Sequence, residues 1–218
     1  MKKLIQGIVD FQTKLTKEKQ TLFSKLAKEQ QPDALMIACA DSRVVPNLFA
    51  STDPGDLFVV RNVGNLVPSS DKNDQETSVG AALEFSLLSL NVSDIIICGH
   101  SECGAMQALL DDLESLSPSH LKSWLQYGLP SLEEYQKGLS LDPSLSPLNQ
   151  LSQINVLKQI EHLSHYPDVC KRLESQTLRL HGWWFDIAAP QVYSYEEEWN
   201  KFVPIDEAEA TRLFARLP

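Results

Sequence analysis

The apolar positions of this chain fall into two patterns, and each predicts a different element. From residue 4 to 30, Ile8, Phe11, Leu15, Leu22, Phe23 and Leu26 recur at helical spacing among lysines and glutamines. That predicts a helix, with Pro32 ending the pattern. Elsewhere the apolar residues run without a break: Ala34-Leu35-Met36-Ile37-Ala38, Leu57-Phe58-Val59-Val60 and, after Asp94, Ile95-Ile96-Ile97-Cys98. A run with no alternation fits a strand buried on both faces, as in a parallel sheet. Pro54-Gly55 marks a turn. Val79, Leu83, Leu87 and Leu90 trace a helix that Thr77 or Ser78 can cap. A further helix opens at Gly104 and passes through Met106, Leu109 and Leu110. Residues 155–165 read as helix, and residues 177–185 as a strand and its continuation.

Strands alternating with helices imply βαβ units. The predicted fold is therefore α/β: a mostly parallel central sheet flanked by helices, with residues 1–32 as an N-terminal helical arm. Residues 111–150 change character, rich in Ser, Leu and Pro, with a helical patch around Trp124 and Tyr127. They read as a surface excursion from a single domain spanning 1–218. The segment after Pro190 is acidic and poorly periodic, and predicts no clear element.

Two clusters of chemistry follow two of these strands. Cys39-Ala40-Asp41-Ser42-Arg43 comes directly after the first, and His100-Ser101-Glu102-Cys103 directly after the third. Parallel sheets bind ligands beyond the carboxyl ends of their strands, so the fold brings the two clusters together. Two thiolates and one imidazole form a known ligand set for catalytic zinc. Alone, Cys39 is weak evidence, because a cysteine after an apolar strand is more often a core residue. The His-x-x-Cys spacing strengthens it, since both side chains reach one metal from a tight loop. Cys98, inside the third strand, and Cys170, with no histidine placed to share a metal, read as packing residues. His120, His162, His165 and His181 lack a cysteine at ligand spacing. Asp41 is placed to accept a hydrogen bond from a water at the open fourth position, and Arg43 to hold it ionised. Two alternatives stay open: a simple loop salt bridge, or Asp41 itself taking the fourth zinc position and closing the site.

Composition narrows the setting. The 218 residues suffice for one domain with a full core. A net charge of −10 argues against nucleic acid and anionic membranes as partners. The opening Met1-Lys2-Lys3-Leu4-Ile5 is soon interrupted by Gln6, Asp10 and Gln12, so neither a signal peptide nor a membrane span is expected. Four cysteines are too few for a disulfide scaffold. A cytoplasmic protein is expected.

Four motifs together resemble the β-class carbonic anhydrases, in their bacterial and plant-type branch. They are Ala38 to Arg43, Val60-Arg61-Asn62-Val63-Gly64-Asn65, Gly80-Ala81-Ala82-Leu83-Glu84-Phe85, and Ile96 to Gly104, with His181-Gly182-Trp183 fitting as well. The resemblance implies reversible hydration of carbon dioxide to bicarbonate and a proton by zinc-bound hydroxide. It implies one zinc per chain on Cys39, His100 and Cys103, with Asp41 as a fourth ligand only conditionally. Asp41 and Arg43 match the family's catalytic dyad. Gln30 matches a glutamine that bonds substrate across a dimer interface, Phe58, Val63 and Phe85 an apolar substrate lining, and Gly104 a backbone amide donor beside the zinc. A homodimer or higher even homo-oligomer is implied. One branch of the family holds inhibitory bicarbonate between a tryptophan, an arginine and a tyrosine; here those positions are Met36, Arg61 and Phe185. Hydrolysis of a related heterocumulene, such as carbonyl sulfide or carbon disulfide, and a non-catalytic zinc-stabilised module are the competing readings.

Overall fold

A computed structural model describes residues 1–70, 77–113, 116–117 and 119–217. Six strands form one sheet in the order β2-β1-β3-β4-β5-β6. They are β1 (Ala34–Cys39), β2 (Leu57–Asn62), β3 (Asp94–His100), β4 (Arg179–Asp186), β5 (Gln191–Glu196) and β6 (Lys201–Pro204). The first four run parallel, and β5 and β6 add antiparallel at one edge. Every residue of β1 is buried, as its unbroken apolar run predicts.

The pleat sends alternate residues of β1 and β3 to opposite faces. Leu35, Ile37, Ile95 and Ile97 join one core with Val79 and Leu83 of α4 (Ser78–Glu84), Val156 and Leu163 of α8 (Pro147–Ser164) and Val169 of α9 (Pro167–Glu174). Met36, Ala38, Ile96 and Cys98 pack on the other face with Val44, Phe185 and, from the short helix α3 (Pro46–Phe49), Phe49. Burial of a side chain of this size contributes about 2 kcal/mol, so these two layers fix the register of β1 against β3. A third cluster lies beyond the carboxyl ends of the strands. There Leu66 and Cys39 meet Met106 and Leu109 of α5 (Gly104–Asp112), Leu125 of α6 (His120–Leu125) and Leu151 of α8, with Leu132 of α7 (Leu129–Gln136) against them.

Several elements differ from the sequence expectation. The helix expected over residues 4–30 is two, α1 (Lys2–Thr13) and α2 (Lys17–Leu26). Thr16 breaks it: its hydroxyl accepts from the Lys19 amide and caps α2. The helix expected from residue 155 begins at Pro147, capped by Ser146. The helix through Leu90 is α-helical only to Glu84, and Phe85–Ser89 form a π turn. The segment 111–150, expected as a surface excursion, forms α6 and α7, which are mostly exposed or half-buried and each reach the interior at one residue. Leu125 and Ser131 are fully buried there; residues 114, 115 and 118 lie outside the described ones. The acidic segment after Pro190 forms β5, β6 and α10 (Glu207–Phe214). Its acidity hid the strand because Glu196 is buried by ion pairs with Arg212 and Arg216.

Candidate metal centre

Register places the ligand candidates. Ala38 of β1 pairs with Cys98 of β3, so Cys39 and His100 end adjacent parallel strands. Cys103 is the N-cap of α5. The two sulfurs and a ring nitrogen of His100 lie within 4.8 Å of one another, and all three residues are buried.

The donor set fits a zinc ion. His100 Nδ1 donates to the Ser101 carbonyl at 2.8 Å. That fixes the tautomer and leaves the Nε2 lone pair free. Nε2 is buried and meets no hydrogen-bond partner, an arrangement costly for a polar atom unless it serves as a ligand. The Gly64 amide donates to Cys39 Sγ at 3.3 Å. Cys39 is lowered to about 4, chiefly by the Cys103 thiol donating to it and against the opposing effect of burial. The same bond, with burial behind it, pushes Cys103 far up, while amides of α5 at Ala105 and Met106 pull the other way. A bound cation would favour the thiolate form of both.

Asp41 stands beside this group and outside it. Arg43 grips its carboxylate in a fork, Nε to Oδ1 at 2.9 Å and Nη2 to Oδ2 at 2.7 Å, and the Arg43 amide adds a third bond at 2.9 Å. The guanidinium holds the Asp41 carboxyl well below the usual carboxylate range. Arg43 Nη2 also donates to the Glu102 carbonyl at 2.9 Å, tying the two motif loops together. In this arrangement the carboxylate faces Arg43.

Other positions singled out in the sequence disperse around this centre. Phe58 and Phe85 pack ring to ring at 5.7 Å, and Val63 and Phe85 are more than 40% exposed. Gly104 is the exposed first residue of α5, where an added Cβ would meet nothing within 4 Å. Gln30 is exposed past the end of α2, near Phe23, Leu26 and Gly55. Met36 is fully buried, and Phe185 stacks on Phe49 at 5.0 Å. Arg61 donates to the Cys39 and Asp41 carbonyls at 2.9 and 2.6 Å. Burial pushes the Cys98 thiol up to about 12. His162, His165 and His181 bond Val67, Glu161 and Asp94. Sequence reasoning missed two parts of the centre, the Gly64 amide on sulfur and the Glu102 carbonyl on Arg43. Both are backbone groups, which side-chain motifs do not report.

A family model described as carbonic anhydrase matches residues 34–192. The solved structure of the β-carbonic anhydrase CcaA superposes with a TM-score of 0.87 at 34% identity, covering 95% of this chain and 92% of that one. The chain belongs to the β-carbonic anhydrase family. Among β-carbonic anhydrase relatives, the carbonic anhydrase of Pseudomonas aeruginosa is 36% identical over 100% of this chain and 98% of its own length. Carbonic anhydrase 1 of Escherichia coli O157:H7 is also 36% identical, covering 94% and 92%. A structure described as one of two tetrameric β-carbonic anhydrases from Sordaria macrospora superposes with a TM-score of 0.75 at 27% identity, over 88% of this chain and 94% of that one.

Proposed function

We propose that this β-carbonic anhydrase chain catalyses the zinc-dependent, reversible hydration of carbon dioxide to bicarbonate and a proton. The observation that carries the proposal is the buried trio Cys39, His100 and Cys103, with its orphaned imidazole nitrogen. These three residues would hold one zinc per chain. When bound, zinc supplies the Lewis acidity that makes a water molecule nucleophilic near neutral pH.

The chain's own groups supply the rest. Asp41, kept ionised and aimed by the Arg43 fork, accepts a hydrogen bond from the attacking water and orients its lone pair. It remains a conditional metal ligand, available only if Arg43 lets go. Phe58, Val63 and Phe85 offer an apolar wall suited to a small substrate without net dipole. The Gly104 amide, at the N-terminus of α5, would donate to a developing oxyanion. Gln30 would act on the site of a partner subunit, in a homodimer or higher even homo-oligomer. The reading keeps residues 1–218 as one domain with 1–32 as its arm, in a cytoplasmic setting. No helix among the described residues is long and apolar enough to cross a membrane.

Stopped-flow hydration of carbon dioxide on metal-quantified protein tests the proposal. We expect one zinc per chain, activity lost on chelation, and activity restored by zinc. A zinc-loaded protein with no activity above the buffer rate would refute it.

A further inference from the structure

The Val63–Gly64 peptide is gripped on both sides. Its carbonyl accepts from the indole Nε1 of Trp124 at 2.7 Å, and its N–H donates to Cys39 Sγ at 3.3 Å. A trans peptide points these two groups in opposite directions, so indole, peptide and sulfur form one hydrogen-bonded line. Bonds in such a line polarise one another, each strengthening the next by roughly 10–30%. The loop has little freedom to do otherwise. Gly64 sits at φ +83°, and a Cβ there would lie 2.9 Å from the Ala105 Cβ. Asn155 of α8 donates to the Gly64 carbonyl at 3.1 Å and is itself held by Ser131 and Gln159. Asn62 brackets the far end through both backbone groups of Leu66.

We propose that Trp124 is a positioning residue for the metal centre, acting through the Val63–Gly64 peptide to fix and strengthen the hydrogen bond on the Cys39 sulfur. The inference rests on the zinc reading above. A buried thiolate set among Leu66, Met106 and Leu109 is shielded from water, so an aimed amide matters. An amide on sulfur withdraws electron density from it. Trp124 lies 61 residues from Val63 in sequence, in a segment that carries none of the metal motifs. An indole N–H that merely needed a partner would contribute stability and leave the sulfur's electronic state unchanged.

Cobalt replacement separates the two roles, because the sulfur-to-cobalt charge-transfer band reports electron density on the thiolates. Trp124→Phe keeps an aromatic ring and removes the donor. We expect its band to move to lower energy and its zinc affinity, measured by chelator competition, to fall about tenfold. Asn155→Ser, which releases the Gly64 carbonyl, should give a smaller shift in the same direction, and it carries the test if Trp124→Phe does not fold. Leu125→Ala removes buried packing from the same cluster, and should lower the melting temperature while leaving the band in place. No thiolate band in the unaltered cobalt protein would overturn the zinc reading and this inference together. A band that stays fixed in the folded Trp124→Phe protein, or in Asn155→Ser where Trp124→Phe does not fold, or that moves as far in Leu125→Ala, would overturn the inference alone.

Discussion

Cys39, at the end of β1, and Cys98, inside the neighbouring β3, are both buried cysteines, and their surroundings give them opposite chemistry. Cys39 faces His100, Cys103 and the Gly64 amide, which favour its thiolate. Cys98 faces the apolar layer of Met36, Ile96 and Phe185, which keeps it a neutral thiol. Cys39→Ser is therefore expected to lose most of its zinc and activity, while Cys98→Ser keeps both; metal analysis beside stopped-flow rates decides, and equal zinc loss would reject the ligand assignment. Asp41 permits a sharper separation. Asp41→Asn should retain zinc, since the three donors are untouched, yet lose about 100-fold or more in kcat. A variant with normal turnover would show that the fork with Arg43 only shapes the loop.

At the scale of elements, ion pairs staple the strands at the end opposite the metal centre. Asp94 opens β3 and takes a fork from Arg179 of β4, at 2.7 and 2.6 Å, and a bond from His181 at 2.7 Å. Burial alone would raise its carboxyl, but His181, Arg179 and Ser93 outweigh burial and hold it well below the usual range. A depressed carboxylate stabilises the fold above its unfolded pKa of about 4, and that contribution is lost as pH falls through the folded value. Asp94→Asn should therefore cost about 2 kcal/mol at pH 7. The gap to the unaltered protein should narrow below about pH 4. Urea unfolding at several pH values measures it, and a gap that widens on acidification would contradict the assignment. Gly64→Ala attacks the other end of the sheet. Its positive φ and the Ala105 contact predict a loss of about 1–3 kcal/mol together with weaker zinc binding.

At the scale of the molecule, α1 buries none of its residues, and Leu4, Ile5, Ile8 and Phe11 are all more than half exposed. An apolar stripe of this kind calls for a partner surface. We expect sedimentation to show a dimer or larger even oligomer, and Ile8→Glu to raise its dissociation constant about tenfold or more. A fully active monomer at assay concentration would exclude an interfacial role for Gln30. Regulation by bicarbonate is expected to be weak. At the three positions that the resemblance matches to one branch's anion pocket, Met36 is fully buried, Phe185 stacks on Phe49, and Arg61 is occupied by two backbone carbonyls. A ligand shifts an equilibrium only by its differential affinity for the two states, and little here favours an anion. Initial rates across bicarbonate concentration and pH, at fixed ionic strength, should show shallow, non-cooperative inhibition; a steep cooperative fall would mean that Arg61 can be recruited.

The unbroken apolar runs determined β1 and β3, because a strand buried on both faces leaves no polar position to interrupt it. The two clusters behind those strands carried the candidate ligands that the fold brings within 4.8 Å of one another, since side chains that can bind metal must be of particular types at a reachable spacing. The caps at Thr16 and Ser146 were also present in the sequence, as hydroxyls ahead of the helices they start, though a single hydroxyl is a weak signal. What only the tertiary structure decided depends on partners far apart in the chain. Glu196 reads as a surface acid until Arg212 and Arg216 pair with it and let it be buried at the end of β5, between β4 and β6. Nothing local to segment 111–150 tells that Leu125 meets the cluster around Cys39 or that Trp124 reaches the Val63 carbonyl. Local pattern records what each residue prefers to bury; it cannot record which backbone groups the fold will bring to meet it.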